Sequence, residues 1–391
     1  MKQKIGIISY WDSLINYGQI LQGTALQYIL KGMGYEVETI KYVLDNREDK
    51  KTLPEKVHDW IYDDISISTR IKNRITPKKK IDDKSNLLSL EYFREERKFD
   101  SFKSNYLNLS EQEFKTLREL EEYAKSFYAF ITGSDQVWHK TGGLERKRIF
   151  LLDFLSKDTK RISYAASFGR DDIINKKEVI TFKECFKKFD ALSVREDSGL
   201  KLCKKIGADN ALLMPDPAIL LSKQDWIQYL SLNVNEANKK TVFCYSLKSK
   251  DHRVHQILDY LESKGYQIHY ACSDLLKDER ANTEPTIEEW LEHIINADIV
   301  VTTSFHGTLF SLLMNTPFIS VGKPNPLSEG SNRRFYSILK ELNLLNRLTN
   351  RFDALEIEDI INAQVNWTSV NNKFGELRLK GKKFLETALK N

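Results

Sequence analysis

Short apolar runs and stretches of helical spacing alternate along most of the chain. Ile5-Gly6-Ile7-Ile8-Ser9 reads as a buried strand, followed by a loop over 10–18. Leu21, Ala25, Leu26 and Ile29 then give 19–31 one apolar helical face. Gly32 and Gly34 close that helix, and the alternation in 35–40 predicts a second strand. Further strands are expected at 127–132, 161–166, 191–194 and 211–214, with a helix over 174–189. Pro215-Asp216-Pro217 breaks the pattern. The rhythm then resumes with strands at 241–246 and 267–270 and helices at 251–263 and 287–295. The stretch DIVVTTSFHGTLFSLLMNTPFISVG (298–322) is a complete strand–helix–strand unit. Leu309, Leu312 and Leu313 carry the helix, and Pro317 ends it. Helices over 333–342 and 371–389 follow.

Alternating strands and helices of this kind predict α/β architecture with parallel sheets. At 391 residues the chain is too long for one ordinary core. Two Rossmann-like domains are expected, over 1–216 and 217–391. A charged, mostly helical insertion would occupy about 42–125, and the helix 371–389 would pack back on the first domain. The opening βαβ unit lacks GxGxxG and has Asn16-Tyr17-Gly18 at the turn, so a dinucleotide is not indicated.

A hydrophobic share of 41% suits a water-soluble globular protein, and no apolar run is long enough to span a bilayer. MKQKIGIISYWD has no signal-peptide pattern, which predicts a cytoplasmic location. Cys185, Cys203, Cys244 and Cys272 lack CxxC spacing and read as reduced thiols. The net charge of +5 does not indicate a nucleic-acid binder. Residues 70–80 hold six Lys/Arg and no acid. They read either as a solvated connection or as a patch that contacts an anionic membrane surface or a pyrophosphate-linked substrate.

Candidate chemistry gathers where strands end. In open α/β sheets ligands collect beyond the carboxyl ends of strands, and helix N-termini there attract anions. Ser304, His306 and Gly307 occupy such a turn, as do Asn16 and Gly18, and Ser134, Asp135 and Gln136. Arg195 stands at another strand end, and Arg333-Arg334 open the helix beyond 322. Simpler roles compete: a helix cap for Ser304 or Asp135, and a salt bridge with Glu196 or Asp197 for Arg195. His252 and His255 lie three apart on a predicted helix without a third ligand nearby, which favours a solvated face over a metal site.

The motifs SFHG (304–307), ITGSDQVW (131–138), SYAASFG (163–169) and SVREDSG (193–199) occur together with the opening GIISYWDSLINYGQILQGTALQYIL and Asp216-Pro217. In this order they resemble the polysaccharide pyruvyl transferase family from about residue 5 to 335. The resemblance implies a GT-B-like fold, with two Rossmann-like domains facing a central cleft. It also implies transfer of pyruvate from phosphoenolpyruvate, as a co-substrate with no further cofactor, onto a sugar of a surface-polysaccharide precursor as a ketal. The acceptor would be a lipid-linked oligosaccharide, met at the inner face of the cell membrane. The family's histidine falls on His306 and an arginine on Arg195; Asp135 takes the acidic position in the first domain. Many members carry arginine two places before the histidine, where this chain has Ser304. Arg333 or Arg334 is expected to supply that charge. A GT-B glycosyltransferase using a nucleotide sugar is the alternative reading, and a non-catalytic glycan-binding subunit is a third.

Overall fold

The computed structural model describes residues 2–43, 88–139, 144–173, 175–235, 240–327 and 332–390. The basic stretch 70–80, and with it the expected membrane contact, lies outside the described residues. Strands β1 (Lys4–Ile8), β2 (Glu36–Tyr42), β3 (Leu109–Phe114), β4 (Ala129–Thr132) and β5 (Lys160–Ser163) form a parallel sheet in the order 3-2-1-4-5. The short parallel pair β6 (Ser193–Val194) and β7 (Leu212–Leu213) extends it beyond β5 through bridges at Ala191 and Val194. A second parallel sheet holds β8 (Thr241–Ser246), β9 (Gln267–Cys272), β10 (Ile299–Thr302), β11 (Phe318–Val321) and β12 (Leu348–Thr349) in the order 12-11-10-8-9.

In each five-stranded sheet the first strand in sequence lies between neighbours reached in opposite directions. The crevice at the strand ends therefore opens between β1 and β4 in one half, and between β8 and β10 in the other. The strands that matter are buried on both faces: every residue of β4, β10 and β11 is buried. Their uninterrupted apolar runs are what a covered parallel strand requires.

The expected helical insertion over 42–125 needs correction at its end. Residues 109–114 form β3, the edge strand of the first sheet, and Leu117–Ala124 is the helix that leads to β4. LSEQEF buries only Ser110 and Phe114, because an edge strand with a wet face carries charge. Ahead of β3, helices Leu90–Arg97 and Phe99–Tyr106 bury Phe93, Phe99 and Phe102. They also bring the fully buried Arg97 across to the other half, where it donates to Glu284 at 2.7 Å and to the Cys272 carbonyl at 2.7 Å.

One apolar core runs through both halves. Tyr17, in the first helix (Tyr17–Gly32), stacks on Trp290 with centroids 5.1 Å apart, and its hydroxyl donates to the Pro285 carbonyl at 2.6 Å. The long helix Trp367–Lys390 spans the pair. Lys373 meets Glu341 at 3.0 Å, Arg378 donates to the Ile219 carbonyl at 3.1 Å, and the Leu389 carbonyl accepts from Tyr128 at 2.6 Å.

Candidate active site

His306 follows β10 at the second position of the helix Phe305–Met314. Ser304 caps that helix, its Oγ accepting from the Gly307 N–H at 3.3 Å. A Cβ on Gly307 would stand 2.3 Å from Thr302 Oγ1, so glycine alone lets the helix start this close to its strand. The imidazole reaches across to the other half and lies against Gly18, where a Cβ would be 2.1 Å from His306 Cγ and 2.2 Å from Nδ1. Gly18 sits in the first turn of its helix, which Asn16 caps by accepting from the Gln19 N–H at 3.3 Å. Two helix N-termini, one from each half, thus converge on the ring, and both favour negative charge.

Nε2 of His306 faces Asp216 Oδ2 at 3.4 Å, too poorly aligned for a hydrogen bond, and it has no hydrogen-bond partner. Asp216 is held on every side. Its Oδ1 accepts from the Ala218 N–H at 3.0 Å, and its Oδ2 accepts from Arg195 Nη1 at 2.8 Å and from Ser134 Oγ at 3.3 Å. Burial opposes its ionisation, but His306, Arg195 and the Ala218 N–H outweigh burial and hold the carboxyl well below the usual range. The buried Arg195 also lies 3.4 Å from Glu196 Oε1 and 3.8 Å from Asp135 Oδ1. Burial works against its charge; Glu196, Asp216 and Asp135 more than offset this and raise its pKa. Its Nη2 has no hydrogen-bond partner.

Asp135 adopts a left-handed backbone, φ 69°, in the loop after β4. Its carbonyl accepts from the Ser167 N–H at 2.9 Å, which ties the β4 and β5 loops together. Ser167 Oγ in turn donates to Glu196 at 2.6 Å.

Of the two consecutive arginines, Arg334 turns inward. Its guanidinium lies 5.5 Å from the Phe305 ring centroid, and Arg195 lies 5.2 Å from the same ring. With the Gln136 amide turned so that its oxygen faces the guanidinium, it accepts from both Nη atoms of Arg334 at 3.1 Å. Burial lowers the Arg334 pKa, and the neighbouring Arg195 charge lowers it further. Among the described residues no carboxylate pairs with Arg334, whereas Arg333 meets Asp171 at 3.5 Å.

The structure therefore brings His306, Arg195, Arg334, Ser134, Asp135, Gln136 and Gly18 into one cluster. Ser304, Gly307 and Asn16 shape its backbone, and Arg333 stands aside on Asp171. Sequence reasoning placed Asp216 at a domain boundary and gave it no site role; it named Glu196 or Asp197 as a salt-bridge partner for Arg195, and the partner is Glu196. An acid directly between two prolines after a strand was the available signal for Asp216, because such a segment fixes the direction of a side chain at the sheet edge. His255 bonds Asp278 at 3.0 Å, and among the described residues no three potential ligands group to hold a metal ion.

A family model for polysaccharide pyruvyl transferases matches residues 16–323. The chain belongs to that family. The match spans every cluster residue except Arg334, which lies just beyond it. No curated protein matches the chain. Among solved structures, UDP-GlcNAc 2-epimerase from Methanocaldococcus jannaschii superimposes with a TM-score of 0.52 at 11% identity, covering 96% of this chain and 99% of that one. UDP-N-acetylglucosamine 2-epimerase from Rickettsia bellii gives 0.45 at 11% identity, with 100% and 97% covered. The calicheamicin glycosyltransferase CalG4 gives 0.43 at 11% identity, with 99% and 95% covered. At such identities the likeness concerns the fold alone: this pyruvyl transferase family member is a GT-B protein with two parallel sheets. Among its described residues no helix is long and apolar enough to cross a membrane.

Proposed function

We propose that this protein transfers pyruvate from phosphoenolpyruvate to two hydroxyls of a sugar in a surface-polysaccharide precursor, closing a ketal. The observation that carries the reading is a set of nitrogen-bearing side chains with unspent hydrogen-bonding capacity at the junction of the halves. Arg195 Nη2 and His306 Nε2 are buried without a hydrogen-bond partner, and Arg334 has no carboxylate of its own among the described residues. Buried donors left unpaired carry a free-energy penalty that a bound anion relieves. Phosphoenolpyruvate brings two anionic groups, and guanidinium forks suit both.

Protonation of the donor's methylene carbon makes C2 cationic. A sugar hydroxyl attacks C2 and loses its proton, phosphate departs with its electron pair and leaves C2 cationic again, and the second hydroxyl adds to C2 and gives its proton to the departing phosphate, closing the ketal. Arg195 and Arg334 hold the donor in this scheme. Arg334, not Arg333, supplies the charge that many relatives carry two places before the histidine. His306 partners the leaving phosphate or moves a proton. Asp135 takes the proton of the acceptor hydroxyl. The acceptor is proposed to be a lipid-linked oligosaccharide, met by a cytoplasmic enzyme at the inner membrane face.

The test is phosphate release from phosphoenolpyruvate on adding a glycan acceptor, beside thermal shifts with phosphoenolpyruvate and a panel of nucleotide sugars. His306→Ala should abolish transfer while the melting temperature stays within about 5 °C. Stabilisation by a nucleotide sugar with no response to phosphoenolpyruvate would overturn the proposal.

A further inference from the structure

One oxygen atom lies against both of the groups whose buried nitrogens lack a hydrogen-bond partner. Asp216 Oδ2 accepts from Arg195 Nη1 at 2.8 Å, from the first half, and faces His306 Nε2 at 3.4 Å, from the second. The carboxylate itself cannot swing, because Oδ1 is anchored on the Ala218 N–H and Ser134 Oγ braces Oδ2 at 3.3 Å. Nor is the imidazole free on its far side, where Gly18 backs it closely enough to exclude even a methyl group. Asp216 engages Nη1 of the arginine and leaves Nη2 open; it sits beside Nε2 of the histidine without capturing it.

We propose that Asp216 is the positioning residue of the donor site, fixing Arg195 Nη2 and His306 Nε2 as one pre-arranged pair for the donor's anionic group. The proposal rests on the phosphoenolpyruvate reading for the identity of the anion, but not for the arrangement itself. Asp216 touches neither donor nor acceptor in this scheme. Its effect passes through the guanidinium it bonds and the imidazole it faces, as the supporting residues of a catalytic constellation do. It is also a poor candidate for a proton acceptor, being buried and tightly hydrogen-bonded to Arg195.

The experiment is a cycle of Asp216→Asn, His306→Gln and the double variant, together with a ligand-free crystal structure of Asp216→Asn. The asparagine keeps the shape and the Ala218 contact but loses the charge. Its kcat should fall about 100-fold with the acceptor KM little changed, and the double variant should be within about 3-fold of His306→Gln alone, because one residue acts through the other. In the crystal the imidazole and the Arg195 guanidinium should leave their present positions. Multiplicative losses, or an imidazole and guanidinium that stay in place, would overturn the proposal. Should Asp216→Asn not fold, Asp216→Glu keeps the charge and advances the carboxylate by about 1.5 Å; unchanged kcat in that variant would overturn it equally. If the wild-type protein ignores phosphoenolpyruvate, the donor reading fails, and the crystal structure still decides the role of Asp216.

Discussion

His306 occupies the room that Gly18 leaves by having no side chain, so a residue from each half of the molecule completes the same contact. Gly18→Ala should therefore force the halves apart or turn the imidazole away. A rigid helix backbone cannot yield the distance required, and overpacking of this kind costs about 1–3 kcal/mol. We expect transfer to fall at least about 100-fold, from the geometric sensitivity of catalysis, with a lowered urea midpoint. Full activity in Gly18→Ala would show that the closed contact is not the working one.

The two consecutive arginines should separate cleanly. Arg334→Ala removes a guanidinium packed on Phe305 and bonded to Gln136. It should raise the phosphoenolpyruvate KM about 10-fold or more, the scale of one lost charged contact. Arg333→Ala breaks only a half-exposed pair with Asp171, and such pairs are worth about 0–1 kcal/mol. Its KM should change less than about 3-fold. Steady-state kinetics on both variants checks this.

Asp216 gives a pH signature. Its folded pKa is depressed, so the stability it contributes is present above its unfolded value of about 3.9 and is lost as pH falls through the folded one. Near pH 7, Asp216→Asn should be less stable than wild type by about 3 kcal/mol, the scale for breaking a buried charge pair. The gap should narrow steadily as pH drops below about 4. Urea titrations across that range measure it, and a constant gap would contradict the assignment.

Gly307→Ala tests the backbone that aims His306. The new methyl would meet Thr302 Oγ1, whose hydroxyl donates to the Tyr245 carbonyl at 2.8 Å and accepts from the Ser304 N–H at 3.0 Å. With that oxygen held twice, we expect a loss of about 1–3 kcal/mol in chemical denaturation.

Much of this arrangement could be read in the sequence because parallel strands buried on both faces announce themselves as apolar runs. The segment 298–322 gave strand, cap, helix and strand nearly to the residue, and His306 was singled out by its place at that turn. β3 escaped because LSEQEF is a charged edge strand, whose pattern belongs as much to solvent as to a sheet. Asp216 escaped for a different reason. Its partners Ser134, Arg195 and His306 lie 82, 21 and 90 residues away; the first two meet it only when separate strands of one sheet line up, and the third only when the two sheets are brought together, so no local pattern encodes them. The choice between Arg333 and Arg334 was likewise a matter of helix phase at one turn, which adjacency in sequence cannot supply.

The helix Trp367–Lys390 lays Phe384, Leu385 and Leu389 into the core shared with β1 and β4, and its Leu389 carbonyl receives Tyr128. During synthesis, residues 2–220 leave the ribosome well before that segment exists. Until it arrives, an apolar flank of the early-made half stays open to water, and transiently bare surface of this kind invites aggregation. Maturation of this half is therefore delayed: a portion made earlier is finished by a helix made later.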